Sequence, residues 1–258
     1  MILNFISGLP RSGSTLLASI LCQNPEFTAS MVSPMGPAIT KVREAMSPSQ
    51  ETHVLWDGGQ QCRVVQSIFE AFYSNGPQVV FDTNRRWCAD ARLLAYIFPQ
   101  CKIICCVRDP IQIIASFEKL FARYPVTMGT ICSNNQSTTV FERVPALMAT
   151  DGVVGYAYKA FRDAWFGPER DRLHLIEYQD LVDHPLQVLK YLHINLDLPW
   201  FGGYDFRNIK QIDGAAEFDK SLGVPGLHDL RPAVSVETDG NHPLPPDVLD
   251  KIPPAFWR

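Results

Sequence analysis

Gly8-Leu9-Pro10-Arg11-Ser12-Gly13-Ser14-Thr15 follows the apolar run Ile2-Leu3-Asn4-Phe5-Ile6 and precedes Leu16, Leu17, Ala18, Ile20 and Leu21 at helical spacing. The order reads as strand, glycine loop, helix. Backbone N–H groups at a helix start have no partner inside the helix, and the helix dipole adds partial positive charge there. The stretch therefore predicts an anion site suited to phosphate or sulfate. It meets the pattern G-x-x-x-x-G-K-[ST] at both glycines and at Thr15, but Ser14 stands where the phosphate-reaching lysine belongs. Enzymes that transfer a phosphoryl group from a nucleoside triphosphate use that lysine to neutralise the β- and γ-phosphates. Its absence argues against ATP or GTP hydrolysis and leaves Arg11 as the positive charge inside the loop.

The 258 residues suit one domain, 1–258, with an α/β core over 1–195 and an irregular C-terminal segment, 197–258, wrapped around it. A net charge of -4 gives no global basic field and speaks against a nucleic-acid partner. No stretch reaches the ~18–20 apolar residues needed to span a bilayer, and the N-terminus does not resemble a secretory signal. The 7 cysteines fall at no zinc spacing, so no metal site is expected. Several sit among apolar neighbours, as in Ile103-Ile104-Cys105-Cys106-Val107, and read as buried thiols of a cytoplasmic protein.

Outward from the first loop, strand and helix patterns alternate. Ser33-Pro34-Met35-Gly36-Pro37 reads as a break, with a helix expected from about Ala38 to Met46. A helical stripe runs over 59–75 through Val64, Val65, Ile68, Phe69 and Phe72. Gln78-Val79-Val80-Phe81 is a strand that leads into Asp82-Thr83-Asn84-Arg85-Arg86-Trp87. Lys102 to Val107 is the near-continuous apolar run of a buried parallel strand, and it delivers Arg108-Asp109-Pro110 to the same edge. Residues 125–140 read as a long loop of the kind that covers a site. Helices are expected around 153–166 and 186–194, with a strand at 173–178. Together these predict an α/β fold: three-layer α/β/α with a central mostly parallel sheet, of the P-loop nucleotide-hydrolase type.

Arg108 at a strand end and Ser116 two turns into the next helix can meet one phosphate, by charge and by hydroxyl. With the glycine loop, this pair resembles the sulfotransferases that use 3′-phosphoadenosine 5′-phosphosulfate (PAPS), their bacterial branch and the protein-tyrosine enzymes in particular. The resemblance covers roughly residues 1–195. It implies that Pro10, Arg11, Ser12, Gly13, Ser14 and Thr15 hold the 5′-phosphosulfate and that Arg108 and Ser116 hold the 3′-phosphate. It also puts Arg231, in the loop 223–231, over the cofactor. Relatives carry an acidic-Lys-Ser/Thr-Pro segment after the second strand; here Thr83 takes the lysine position, and Arg85 or Arg86 is left to supply the charge. The glutamate that serves as base in the tyrosine-directed branch has no counterpart in Met31-Val32-Ser33-Pro34.

What the resemblance implies is transfer of a sulfonate group from PAPS to a hydroxyl or amine, giving adenosine 3′,5′-bisphosphate (PAP) without a metal. The acceptor is a small molecule, glycan, lipid or peptide. His53, Asp57 and Asp82 are candidate bases, with Arg85 as the charge at the transferring group. Phe27, Trp56 and Trp87 are open between lining an acceptor cleft and filling the core. A P-loop nucleoside or small-molecule kinase and a non-catalytic nucleotide-binding protein of the same fold are the alternatives.

Overall fold

The computed structural model describes residues 1–123, 130–131, 138–235 and 244–258. Most of the loop read over 125–140 lies outside the described residues. The chain runs β1 (Ile2–Gly8), α1 (Ser14–Leu21), β2 (Phe27–Ala29), α2 (Met35–Ala45), α3 (Gly58–Phe72), β3 (Val79–Thr83), α4 (Ala91–Ile97) and β4 (Ile103–Val107). It continues through α5 (Pro110–Arg123), α6 (Val140–Met148), α7 (Val153–Phe166), β5 (Leu173–Glu177), α8 (Tyr178–Asp183), α9 (Pro185–Asn195), α10 (Ala215–Ser221) and α11 (Pro246–Leu249). Short 3-10 turns lie at Glu51–Leu55, Arg85–Cys88 and Arg170–Arg172.

Among the described residues all four strand pairings are parallel, in the order β2-β3-β1-β4-β5. Side chains alternate across the sheet, as the two-residue strand period requires. Leu3, Phe5, Val80, Ile103, Cys105 and Val107 face a core shared with Phe69, Trp87, Leu94 and Phe161. Ile6, Phe81, Ile104 and Cys106 face the opposite core with Leu17, Ile20, Leu21, Leu189 and Leu192. Both faces of the sheet are thus covered, which is why the strands are apolar nearly throughout. Phe5 anchors the first core against Phe69 and Trp87, at ring-centre distances of 5.8 and 5.2 Å. The C-terminal residues join both cores, Val248 and Trp257 in the first and Ile209 in the second.

The expected helix at about Ala38 starts earlier, at Met35, inside the Pro34-Met35-Gly36-Pro37 stretch. The first helical turn tolerates this because its N–H groups have no intrahelical acceptor for proline to forfeit. β1 and β4 are neighbours whose connections leave in opposite directions, toward β2 at one edge and β5 at the other. A crevice opens beyond the carboxyl ends of such strands, and the site stands there.

Candidate active site

Gly8 ends β1 pressed against β4. A Cβ on Gly8 would lie 2.2 Å from the Cys106 carbonyl oxygen, and φ there is +102°. The Leu9 N–H donates to that same carbonyl at 2.8 Å. Two residues then take left-handed backbone, Arg11 at φ 57° and Gly13 at φ 85°, turning the chain into α1. Glycine serves at residue 13 for two reasons. An L side chain is strained at that φ, and its Cβ would meet the Tyr178 ring at 2.9 Å. No side chain caps α1. Its first-turn N–H groups therefore point into the crevice with their donors available to an anion.

The crevice is a cavity of about 830 Å³, within the usual range for small-molecule sites. Pro10, Arg11, Gly13, Ser14, Thr15, Arg85, Arg108 and Arg231 all line it. Ser12 does not: it is fully buried and its hydroxyl donates to the Pro10 carbonyl at 3.3 Å. Ser116 lies behind the wall and accepts a hydrogen bond from Arg11 Nε at 3.1 Å. Arg11 Nη1 donates to the Leu227 carbonyl. Arg108 donates from Nη1 to the Arg11 carbonyl at 3.4 Å, and its guanidinium stacks 4.4 Å over the Tyr178 ring. The loop after β1, the start of α5 and the C-terminal loop thereby meet in one cationic cluster. Six arginines line the cavity (Arg11, Arg85, Arg86, Arg108, Arg123 and Arg231), against Asp151 and Asp229. A chain with net charge -4 has concentrated positive charge in this one place.

The β3 side of the cavity separates the two arginines that the sequence left equivalent. Ser7 on β1 donates to the Arg85 carbonyl at 3.1 Å and accepts the Cys88 N–H at 3.2 Å, clamping the turn that bears both. Arg86 Nε pairs with the Asp90 carboxylate, which also takes Arg43 Nη1 at 3.0 Å. Asp90 holds the Arg86 pKa above its usual value. Arg85 has no carboxylate partner among the described residues. It is open to solvent from within the cleft, while the surrounding protein lowers its pKa, an effect that Tyr156 opposes. Thr83, at the same wall, keeps a buried hydroxyl with no partner among the described residues.

Asp82 and His53 are not at the cavity. Asp82 is fully buried and accepts three hydrogen bonds, from Ser33 Oγ at 2.6 Å, Tyr73 OH at 2.6 Å and Trp87 Nε1 at 2.8 Å. Burial raises its pKa, and those three donors oppose the rise. It ties β3, α3 and the Arg85–Cys88 turn together instead of facing a substrate. His53 sits in the turn Glu51–Leu55 with Nδ1 2.9 Å from the Met46 carbonyl, away from the cavity lining. Asp57 caps α3 by accepting the Gln60 N–H at 2.7 Å. Phe27 and Trp87 fill the cores, and Trp56 lines a separate groove on α3.

Three contributors escaped the sequence reading. Tyr178 supports Arg108, Tyr156 lines the cleft from α7, and His228 lines it from the C-terminal loop, where it is bonded to Asp219 at 2.5 Å. Asp219 and His228 are nine residues apart across two glycines, with no periodic pattern to link them.

No metal-type cluster of His, Cys, Asp and Glu occurs among the described residues, and none of the described helices is long and apolar enough to cross a membrane. The model of the sulfotransferase family matches residues 5–202, well over half of the chain. Protein-tyrosine sulfotransferase 1 of Danio rerio is 27% identical over 209 residues, which are 78% of this chain and 54% of that protein. The chain thus spans about half the length of that curated relative. Among solved structures, the sulfotransferase domain from the curacin biosynthetic pathway superposes with a TM-score of 0.60. That likeness covers 96% of this chain and 95% of that one at 20% identity.

Proposed function

The chain belongs to the sulfotransferase family, and from that premise we propose that it moves the sulfonate group of PAPS to a hydroxyl or amine of an acceptor, leaving PAP. One observation carries the reading: Arg11 and Arg108 converge beside the uncapped start of α1 in one cavity, with Ser116 holding Arg11 from behind the wall. PAPS supplies an activated sulfonate on a phosphate leaving group, with a second phosphate on the ribose. The residues present fit such a group. The N–H groups of Gly13, Ser14 and Thr15 and the Arg11 guanidinium would hold the phosphosulfate and would stabilise negative charge on the leaving oxygen. Arg108 would take the 3′-phosphate, with Ser116 steadying the neighbouring Arg11, and Arg231 would lie over the nucleotide. Arg85 supplies positive charge at the sulfonate from the β3 side, and the Thr83 hydroxyl offers it an unused hydrogen-bonding group. Loop amides and arginines provide the electrostatics that a metal supplies elsewhere, so the reaction proceeds without one.

The acceptor enters between the β3 wall and α7, past Met31, Val32, Asp151 and Tyr156. It is a small molecule or a protein group that carries the reacting hydroxyl or amine. Buried thiols such as Cys105 and Cys106 suit the cytoplasmic setting that belongs to this proposal. A kinase reading has no lysine at Ser14 to rest on.

Calorimetric titration with PAP, beside ATP with Mg²⁺, tests the assignment on wild type and Arg108→Ala. The expected result is PAP binding that weakens by about 10- to 100-fold in Arg108→Ala, the scale of one charge-assisted contact. ATP binding without PAP binding overturns the proposal.

A further inference from the structure

The loop from Gly223 to Arg231 is held from behind by one buried carboxylate. Asp219, on α10, is 1% exposed. Its Oδ2 accepts the His228 backbone N–H at 2.8 Å, its Oδ1 meets the ring Nδ1 at 2.5 Å, and its carbonyl accepts the Val224 N–H at 3.0 Å. An ionised carboxylate only accepts, so Nδ1 carries the hydrogen and Nε2 is the ring atom left for another partner. The Phe218 ring packs edge-on at 5.6 Å and fixes the imidazole plane. The His228 side chain keeps 19% of its surface exposed and lines the cavity. One residue earlier, the Leu227 carbonyl takes Arg11 of the glycine loop. His228 therefore lines the cavity next to the loop position that Arg11 holds.

We propose that His228 is a direct contact of the anionic nucleotide and joins it as an imidazolium, with Asp219 as its positioning residue. The proposal rests on the reading of the cleft as a PAPS site. A neutral Nε2 offers only a lone pair, which a phosphate oxygen repels. A protonated ring donates at both nitrogens, one to Asp219 and one to the phosphate. Asp219 on α10 and Asp229 on its own loop are the acids beside it, and Arg11, Arg108, Arg123 and Arg231 line the same cavity. The negative charge of the nucleotide offsets those arginines, so binding draws a proton onto Nε2.

The test is calorimetry of PAP binding at about pH 7.5, above the second ionisation of a phosphate near ~6. The titration is run in two buffers of different ionisation enthalpy, on wild type, His228→Gln and Asp219→Asn. Wild type is expected to take up about half a proton or more per PAP. His228→Gln loses that uptake and binds about tenfold more weakly. Asp219→Asn, which does not touch the ligand, shows a reduced uptake. PAP binding by wild type with no proton uptake overturns this proposal alone, as does equal uptake by His228→Gln. Failure of PAP to bind wild type at all overturns the cofactor assignment and this proposal with it.

Discussion

Replacing Asp82 with alanine removes one acceptor shared by three donors, all of which stay behind in the protein. Tyr73 OH and Trp87 Nε1 both lose their recorded acceptor, and Trp87 is fully buried. Ser33 Oγ loses its acceptor too, while it continues to accept the Met35 N–H at 3.0 Å. Each stranded buried donor costs about 1–3 kcal/mol, and partial relaxation brings the total to about 3–5 kcal/mol. At about 2–4 °C per kcal/mol for a chain of this size, Tm falls by roughly 10 °C or more. Asparagine is the informative contrast. Its oxygen can keep the Trp87 bond while its amide donates to the two hydroxyls, so Asp82→Asn costs only about 1 kcal/mol.

The pH dependence of that contrast has a definite sign. Burial raises the Asp82 pKa in the folded state above its unfolded value of about 3.9. The folded chain then holds this proton at a pH where the unfolded chain has released it. The contribution of the group to stability is therefore largest below about pH 3.9 and declines as pH rises through the folded pKa. Asparagine does not titrate. The stability gap between wild type and Asp82→Asn should narrow as pH rises from about 4 toward neutrality. Urea unfolding at several pH values reads the gap, and PAP titration of Asp82→Asn checks that the cavity is intact. An Asp82→Ala protein within about 1 kcal/mol of wild type refutes the assignment of Asp82 as a buried tie, and a gap that widens with pH refutes the raised pKa.

Gly13→Ala places a Cβ at φ 85° and 2.9 Å from the Tyr178 ring; it is expected to cost about 1–3 kcal/mol of stability and to weaken PAP binding through Tyr178 and Arg108, read by thermal unfolding and calorimetry. Arg85→Ala and Arg86→Ala should part company although the residues are adjacent. Arg85→Ala strands no carboxylate and leaves Tm within about 2 °C, yet weakens binding of the sulfonate-bearing cofactor about tenfold, with a smaller effect on PAP. Arg86→Ala leaves Asp90 with Arg43 alone and lowers stability by about 1–2 kcal/mol; equal Tm values for the two variants would sink the distinction.

Much of the fold was legible because its signals are local. A strand that ends in Gly8, a loop with Gly13 and a helix that begins at Ser14 are written in eight consecutive residues, and backbone geometry alone leaves the N–H groups of the helix start unpartnered by a side-chain cap. The apolar run Ile103–Val107 announces a strand covered on both faces for the same reason. Periodicity located α3, α5, α7 and α9, but it missed α6, α8, α10 and α11 and placed the start of α2 three residues late, since capping and first-turn chemistry leave weaker marks than a stripe of side chains.

The site divides along the same line. From residue types and spacing came the glycine loop and the Arg108–Ser116 pair, and the family resemblance added an arginine after β3. Only tertiary structure decided that Arg11 bonds Ser116, 105 residues away, so that loop and helix form one cluster. Only tertiary structure gave Asp90 to Arg86 and left Arg85 facing the cleft, drew Asp82 into the interior, and set His228 against a buried Asp219. The physical reason is the range of each interaction. Strand and helix periods and helix-end donors act over a few residues of backbone, whereas the partner of a charge depends on which distant element folds beside it.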